Sequence, residues 1–309
     1  MSLVVIGSIA FDSVRTPFGT RERMLGGSAL HFSLAASFFT DVRVVGPVGD
    51  DFGDAEYAVL RERGVDTSDV ERVEGGRTFF WAGAYGYDLN TRETLDTQLG
   101  VFGEFDPKLS EETRAADMLF LGNIQPDLQR EVRRQCDGAR LVGLDSMNLW
   151  IETTRESLLA AVREVDLLFL NDSEGRELME EPNLVRAARR VMELGPRAVV
   201  AKQGEYGASL FTADRFFSLP AYPLETVRDP TGAGDCFGGG FMGYLASRDE
   251  RAADDDTELR RAMTYGSVLA SFNVEEFGTD RVRRLERDEI DARYEEFRGI
   301  TEISTAPIA

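Results

Sequence analysis

Arg228-Asp229-Pro230-Thr231-Gly232-Ala233-Gly234-Asp235-Cys236-Phe237-Gly238-Gly239-Gly240-Phe241 is the stretch in which residue types and spacing converge on chemistry. An Asp-Pro turn leads into Gly-Ala-Gly, where the glycines can take backbone angles closed to residues with a Cβ. A small-residue and apolar run to Leu245 follows and predicts a buried helix. Loop N–H groups and the helix N-terminus then meet at one point, which suits an anion. Asp235 stands at that point. A carboxylate there either caps the helix or takes a proton from a hydroxyl that attacks a phosphate held by the amides. Capping alone leaves the preceding glycines unexplained.

Other polar residues end apolar runs or open helices. Asp12 follows the first apolar run, where an aspartate commonly stabilises a turn. Gly26 and Gly27 open an apolar helix and allow a ligand close to the backbone; His31, the only histidine of the chain, lies on that helix. Asn171-Asp172-Ser173-Glu174 places an amide and a carboxylate one helical turn apart, as a helix cap or as a seat for hydrated Mg2+. Lys202 ends another apolar run before Gln203-Gly204 and is one of two lysines, with Lys108.

Asp229-Pro230-Thr231-Gly232-Ala233-Gly234-Asp235 resembles the Asp-Thr-x-Gly-Ala-Gly-Asp signature of the ribokinase-like (PfkB) carbohydrate and nucleoside kinases, and the likeness runs over roughly residues 3 to 280. It implies a three-layer α/β fold, one domain over residues 1–309, with a mostly parallel central sheet flanked by helices. It also implies a small β-lid from roughly residues 11–24 and 77–105. By the same resemblance Asp235 is the catalytic base, and Gly232, Ala233 and Gly234 form the anion hole for the transferred phosphoryl group. Asp12, Gly26 and Gly27 hold the acceptor; His31 stands where the family has an asparagine that contacts the sugar, a departure from the usual ribose or fructose pattern. Asn171 and Glu174 take Mg-nucleotide roles, with Mg2+ reached through water. Lys202, where many members have threonine, together with Gly204 and Thr231, faces the nucleotide. Asp229 borders the monovalent-cation (K+) site of many relatives, although Pro230 alters that loop. ATP and Mg2+ are the implied cofactors, and dimers through the lid are frequent among relatives.

The elements that would position these groups are readable. Leu3–Ile9, Met118–Asn123, Arg140–Asp145, Asp166–Asn171 and Ala198–Lys202 are apolar runs with polar ends, separated by helical stretches, as in parallel crossovers. Ligands bind beyond the carboxyl ends of such strands. Val42–Gly53 reads as a strand, a glycine turn and an acidic helix start, with Asp50 and Asp51 as turn and cap residues. Phe79, Phe80, Trp81, Tyr85 and Tyr87 lie among glycines and read as strands and turns. Ala262–Val274 reads as a helix stopped at Gly278, Glu286–Phe297 as an outer amphipathic helix, and Arg298–Ala309 as a mobile tail.

Composition narrows the function. A formal net charge of -20 argues against nucleic-acid or anionic-membrane binding. The acidic, lysine-poor surface is what a protein in concentrated salt tolerates, because salt screens its self-repulsion. No apolar run of transmembrane length and no leader pattern occurs. Two cysteines make no disulfide framework, and a reducing cytoplasm fits. The leading expectation is ATP-dependent phosphorylation of a sugar or polyol hydroxyl. Alternatives are a nucleoside or inositol kinase, a catalytically silent binder of the same fold, and a dinucleotide oxidoreductase, since Gly232, Gly234 and Gly238 also fit a relaxed Rossmann pattern.

Overall fold

The structure is a computed structural model that describes residues 2–302. Thirteen strands are numbered here in chain order: β1 Leu3–Ile6, β2 Ala10–Thr16, β3 Gly19–Gly26, β4 Val42–Val48, β5 Val70–Arg72, β6 Phe79–Tyr85, β7 Arg92–Gln98, β8 Met118–Leu121, β9 Leu141–Asp145, β10 Leu167–Asn171, β11 Ala198–Lys202, β12 Ala208–Thr212 and β13 Phe216–Leu219. Nine of them form one sheet in the order β13-β12-β11-β10-β9-β8-β1-β4-β5. β5 to β11 of that order pair in parallel, and β12 and β13 are added antiparallel at one edge.

The inner strands β1 and β8–β11 are apolar, or apolar up to a polar last residue, because both faces are covered. Leu3 and Val5 join a core with Met118, Phe120 and three helices, Ser28–Ala36, Ala233–Ala246 and Asp256–Asn273; Val4 and Ile6 join a second core on the opposite face with Leu119, Leu121 and Val132. That alternation is what a three-layer α/β fold requires. The chain leaves β1 toward β4 on one side and returns at β8 on the other, so the strand order reverses beside β1, and in sheets of this kind a ligand crevice lies beyond the strand C-termini at that point. Among the described residues no helix is long and apolar enough to cross a membrane.

A second sheet, in the order β3-β2-β6-β7, is built from the glycine- and aromatic-rich segments. β2 pairs antiparallel with β3 and parallel with β6, and β6 pairs antiparallel with β7. Its root is fastened to the body by Asp51, which accepts from the Thr78 N–H at 2.8 Å and from Arg23 at 2.9 Å. Asp51 is therefore not a helix cap; Gly53 holds the N-cap of Asp54–Arg61.

Several boundaries differ from the expectations. Asp12 lies within a strand rather than a turn, because the run Ala10–Thr16 finds partners on both sides. The helix expected from Ala262 starts at Asp256, where Asp255 accepts from the Thr257 N–H and caps it. The last helix, Arg287–Thr301, extends into the segment read as a tail; residues 303–309 of that reading lie outside the described residues.

Candidate active site

The helix Ala233–Ala246 ends in the crevice with its N-terminus. It reaches there because its glycines let neighbouring helices close on it: a Cβ at Gly239 would stand 2.4 Å from the Phe32 carbonyl oxygen. Gly238 likewise packs on Phe120, which makes it a packing residue and removes the Rossmann reading of its spacing. Gly232 is the N-cap, at φ 77, in the left-handed region. A second constraint acts on it. The imidazole of His31 lies flat beneath its Cα, 2.5 Å from where a Cβ would be.

The loop before the helix is braced from three sides. Asp229, fully buried, accepts from the N–H of Thr231 at 2.9 Å and of Gly278 at 3.0 Å. Asn273, at the end of Asp256–Asn273, donates its side-chain N–H to the Thr231 carbonyl at 2.7 Å. The Tyr85 hydroxyl, on β6 of the small sheet, lies 3.2 Å from Thr231 Oγ1. Ala233 N–H turns back onto the Pro230 carbonyl at 3.2 Å. The N–H groups of Gly232 and Gly234 donate to no acceptor among the described residues, so both are open donors at the helix dipole's positive end.

Asp235 sits in the first turn of this helix. Burial raises its pKa to about 7, and the nearby Asp145 carboxylate adds to the rise, while Lys202 and Arg92 oppose it. Asp12 is also raised to about 7, first by burial and then by Asp229, with the Gly27 N–H pulling it partly back. Asp12 fills the space over Gly26, where a Cβ would overlap its carboxylate. Gly27, at φ 94, brings the helix Ser28–Ala36 under it, and Ser8 and Ser28 exchange N–H to Oγ bonds of 3.1 and 3.0 Å that hold this junction to β1.

Lys202 ends β11 and donates to both oxygens of Asp145, at the end of β9, at 3.0 and 2.8 Å. This pair, rather than a surface lysine, borders the Gly232–Gly234 loop: Lys202 Nζ stands 3.0 Å from where a Cβ of Gly234 would lie. Burial lowers the Lys202 pKa, but Asp145 and Glu174 outweigh it and leave the ammonium raised. Asn171 and Glu174 form a complete capping box. Asn171 Oδ1 accepts from Glu174 N–H, and Glu174 accepts from Asn171 main-chain and side-chain N–H at 2.7 and 2.6 Å. Burial nonetheless raises Glu174 to about 7, partly offset by Lys202. Among the described residues no three acidic, histidine or cysteine side chains converge to hold a metal. One raised carboxylate beside an amide fits a hydrated Mg2+ that rides on phosphates, not a protein cage.

His31 is 1% exposed, and burial depresses its pKa to about 4, so the ring is neutral. Its Nε2 has no partner among the described residues. The tip of the small sheet crosses to the turn Gly204–Tyr206: Asn90 lies against Gly204 and donates to Glu205 at 3.2 Å. The sequence reading missed Tyr85, Arg92, Asn90 and Asn273. The one available signal was that Arg92 and Asn90 follow the aromatic run.

The whole arrangement has counterparts. The family model for the pfkB family carbohydrate kinases matches residues 2–284. A cytidine kinase of Thermococcus kodakarensis is 30% identical over 80% of this chain and 90% of its own length. Among solved structures, the fold is shared with a Burkholderia thailandensis nucleoside kinase in complex with inosine, at 21% identity and a TM-score of 0.77, covering 96% of this chain and 98% of that one. It is shared too with an Arabidopsis thaliana ribokinase complexed with ribose and ATP, at 19% identity and a TM-score of 0.72, covering 94% and 98%. This chain belongs to the pfkB family of carbohydrate kinases, enzymes that phosphorylate sugars or nucleosides.

Proposed function

We propose that the chain transfers the terminal phosphoryl group of ATP to a hydroxyl of a sugar ring, free or carried by a nucleoside. The observation that carries this is the meeting of Asp235 with the open N–H groups of Gly232 and Gly234 at one helix N-terminus. Asp12 accepts from acceptor hydroxyls and fixes the ring. Asp235 takes the proton of the attacking hydroxyl as the oxygen–phosphorus bond forms and the bond to ADP breaks. The loop amides and the helix dipole stabilise charge on the transferred oxygens, and the Lys202 ammonium adds to them. Glu174 and Asn171 would hold a hydrated Mg2+, which would supply charge neutralisation on the donor phosphates. The small sheet excludes water from the cleft when Tyr85 and Asn90 engage the loops.

K+ beside Asp229 would compensate a carboxylate that forms no ion pair among the described residues; equal rates in KCl and choline chloride would rule this out. The kinase assignment is tested by assaying ADP release with Mg-ATP across ribose, fructose, inositol and nucleosides. Turnover with at least one sugar-ring acceptor, absent in Asp235→Ala, is expected. Transfer to none of them, or equal ADP release without acceptor, refutes it.

A further inference from the structure

The two open donors at the head of the helix Ala233–Ala246 are not held alike. The Gly234 N–H belongs to the first turn and is fixed by the helix. The Gly232 N–H belongs to the peptide unit between Thr231 and Gly232, whose plane is set by the rotations on either side of it. One of these is the φ of a glycine, which tolerates both signs, so sterics alone hold the plane weakly. A partner outside the loop must keep it from turning.

Asn273 is that partner. Fully buried at the last residue of Asp256–Asn273, it donates from Nδ2 to the Thr231 carbonyl at 2.7 Å. In a trans peptide the C=O and N–H point in opposite directions. Pinning the carbonyl against the buried helix end therefore turns the Gly232 N–H away from it, and there it has no acceptor among the described residues. The same helix end grips the loop one step earlier, where the Val274 carbonyl accepts from the N–H groups of Arg228 and Asp229 at 2.8 and 3.3 Å. The Asn273 amide is itself kept the right way round. A carbonyl can only accept, so the amide nitrogen must face Thr231 and its oxygen the other side. On that side Cys236 Sγ lies 3.3 Å from Oδ1. Burial raises the Cys236 pKa, so the thiol keeps a proton to give.

We propose that Asn273 is a positioning residue for phosphoryl transfer: by pinning the Thr231 carbonyl it aims the Gly232 N–H at the transferred oxygens, and Cys236 orients its amide. The proposal rests on the kinase assignment and adds to it a residue 42 positions from the loop it serves.

Thr231-Gly232 is the only Thr-Gly pair in the chain, so protein labelled with carbonyl-13C threonine and 15N glycine gives a single carbonyl–amide cross-peak. That peak reads this one peptide. Mg2+, ADP and fluoroaluminate, a mimic of the phosphoryl group in flight, move the Gly232 proton downfield in the parent. In Asn273→Leu, close in shape and without an amide, the Thr231 carbonyl moves upfield and the proton response is lost. In steady state the same variant lowers kcat about 100-fold, the scale of one oxyanion donor, with the KM values for ATP and acceptor each within about threefold. A merely structural asparagine would lower Tm without that split. Cys236→Ala lowers kcat about fivefold, and Cys236→Ser, which returns a donor to Oδ1, restores most of it.

A kcat for Asn273→Leu close to the parent's overturns the proposal, as does a fall in kcat matched by rises in both KM values. A Gly232 proton that ignores fluoroaluminate in the parent, or answers it alike in both proteins, overturns it too. Should Asn273→Leu not fold, equal kcat in Cys236→Ala and Cys236→Ser does the same. Turnover by the parent in each of these cases leaves the kinase assignment standing; a parent that transfers to no acceptor strikes that assignment and this proposal together.

Discussion

The two walls of the crevice solve the same electrostatic problem differently. On the proposed acceptor wall, Asp12 and Asp229 form no ion pair among the described residues; they are faced by backbone N–H groups and by each other's charge. On the proposed nucleotide wall, Asp145 holds Lys202 through both oxygens, and Arg92 and Lys202 offset Asp235 and Glu174. A wall of raised, unpaired carboxylates is suited to neutral hydrogen-bond donors, namely hydroxyls. A wall with cations is suited to phosphates. The difference supports the proposed reading, in which the acceptor lies on one side and the phosphates on the other, with Asp235 on the seam.

The sharpest break in that comparison is Asp235→Asn, expected to lower kcat about 10²–10⁴-fold, the range of a general base. It also yields a stability signature. The folded pKa of Asp235, about 7, exceeds its ordinary value, so the carboxylate costs nothing below about pH 4, where both folded and unfolded states are protonated. The cost grows as pH rises toward 7 and is complete above it. Asp235→Asn therefore raises Tm at pH 8, by a gain on the order of 1–4 kcal/mol, and leaves it unchanged at pH 4. In the parent enzyme, kcat/KM for the acceptor rises with pH up to about 7 and then levels. A flat profile from pH 5 to 9 would dismiss Asp235 as the base.

On the nucleotide wall, Lys202→Met is expected to lower kcat/KM for ATP about 100-fold and to cost about 1–3 kcal/mol of stability, reduced from the deeply buried case because Lys202 keeps some exposure. Adding Asp145→Asn should return the stability and not the activity, as denaturant melts and rate assays on both variants would show. On the acceptor wall, Asp12→Asn is expected to raise the acceptor KM about 10–100-fold, the scale of a charged hydrogen bond, with the ATP KM within twofold. Equal effects on both KM values would erase the distinction between the walls. The smallest change is Asn90→Ala, which removes the contact with Glu205 and should raise both KM values about two- to threefold.

What was legible in the sequence was local. Gly232, Gly234 and Asp235 announce a helix N-terminus with a carboxylate because everything needed lies within a few residues, and parallel strands show as apolar runs ending in Asp145, Asn171 and Lys202. What was not legible is long-range. Tyr85 and Thr231 are 146 positions apart, Lys202 and Asp145 57, and Asn273 and Thr231 42. The partners of Lys202 follow from sheet order, which no single run specifies. Asp12 was read at a turn because the residues around it are ambiguous until β6 arrives beside them. The start of Asp256–Asn273 was hidden by its charged first turns, whose apolar stripe is sparse.

The contact between His31 and Gly232 reaches beyond the present enzyme. The imidazole occupies the volume that any Cβ at 232 would claim, so the two positions can drift only together. A descendant that trades the ring for a shorter side chain opens a void under the Gly232 turn and slackens the N–H donors above it. The ring and the turn above it are in this way tethered during divergence, and a second substitution beneath the loop must accompany any lasting change at His31.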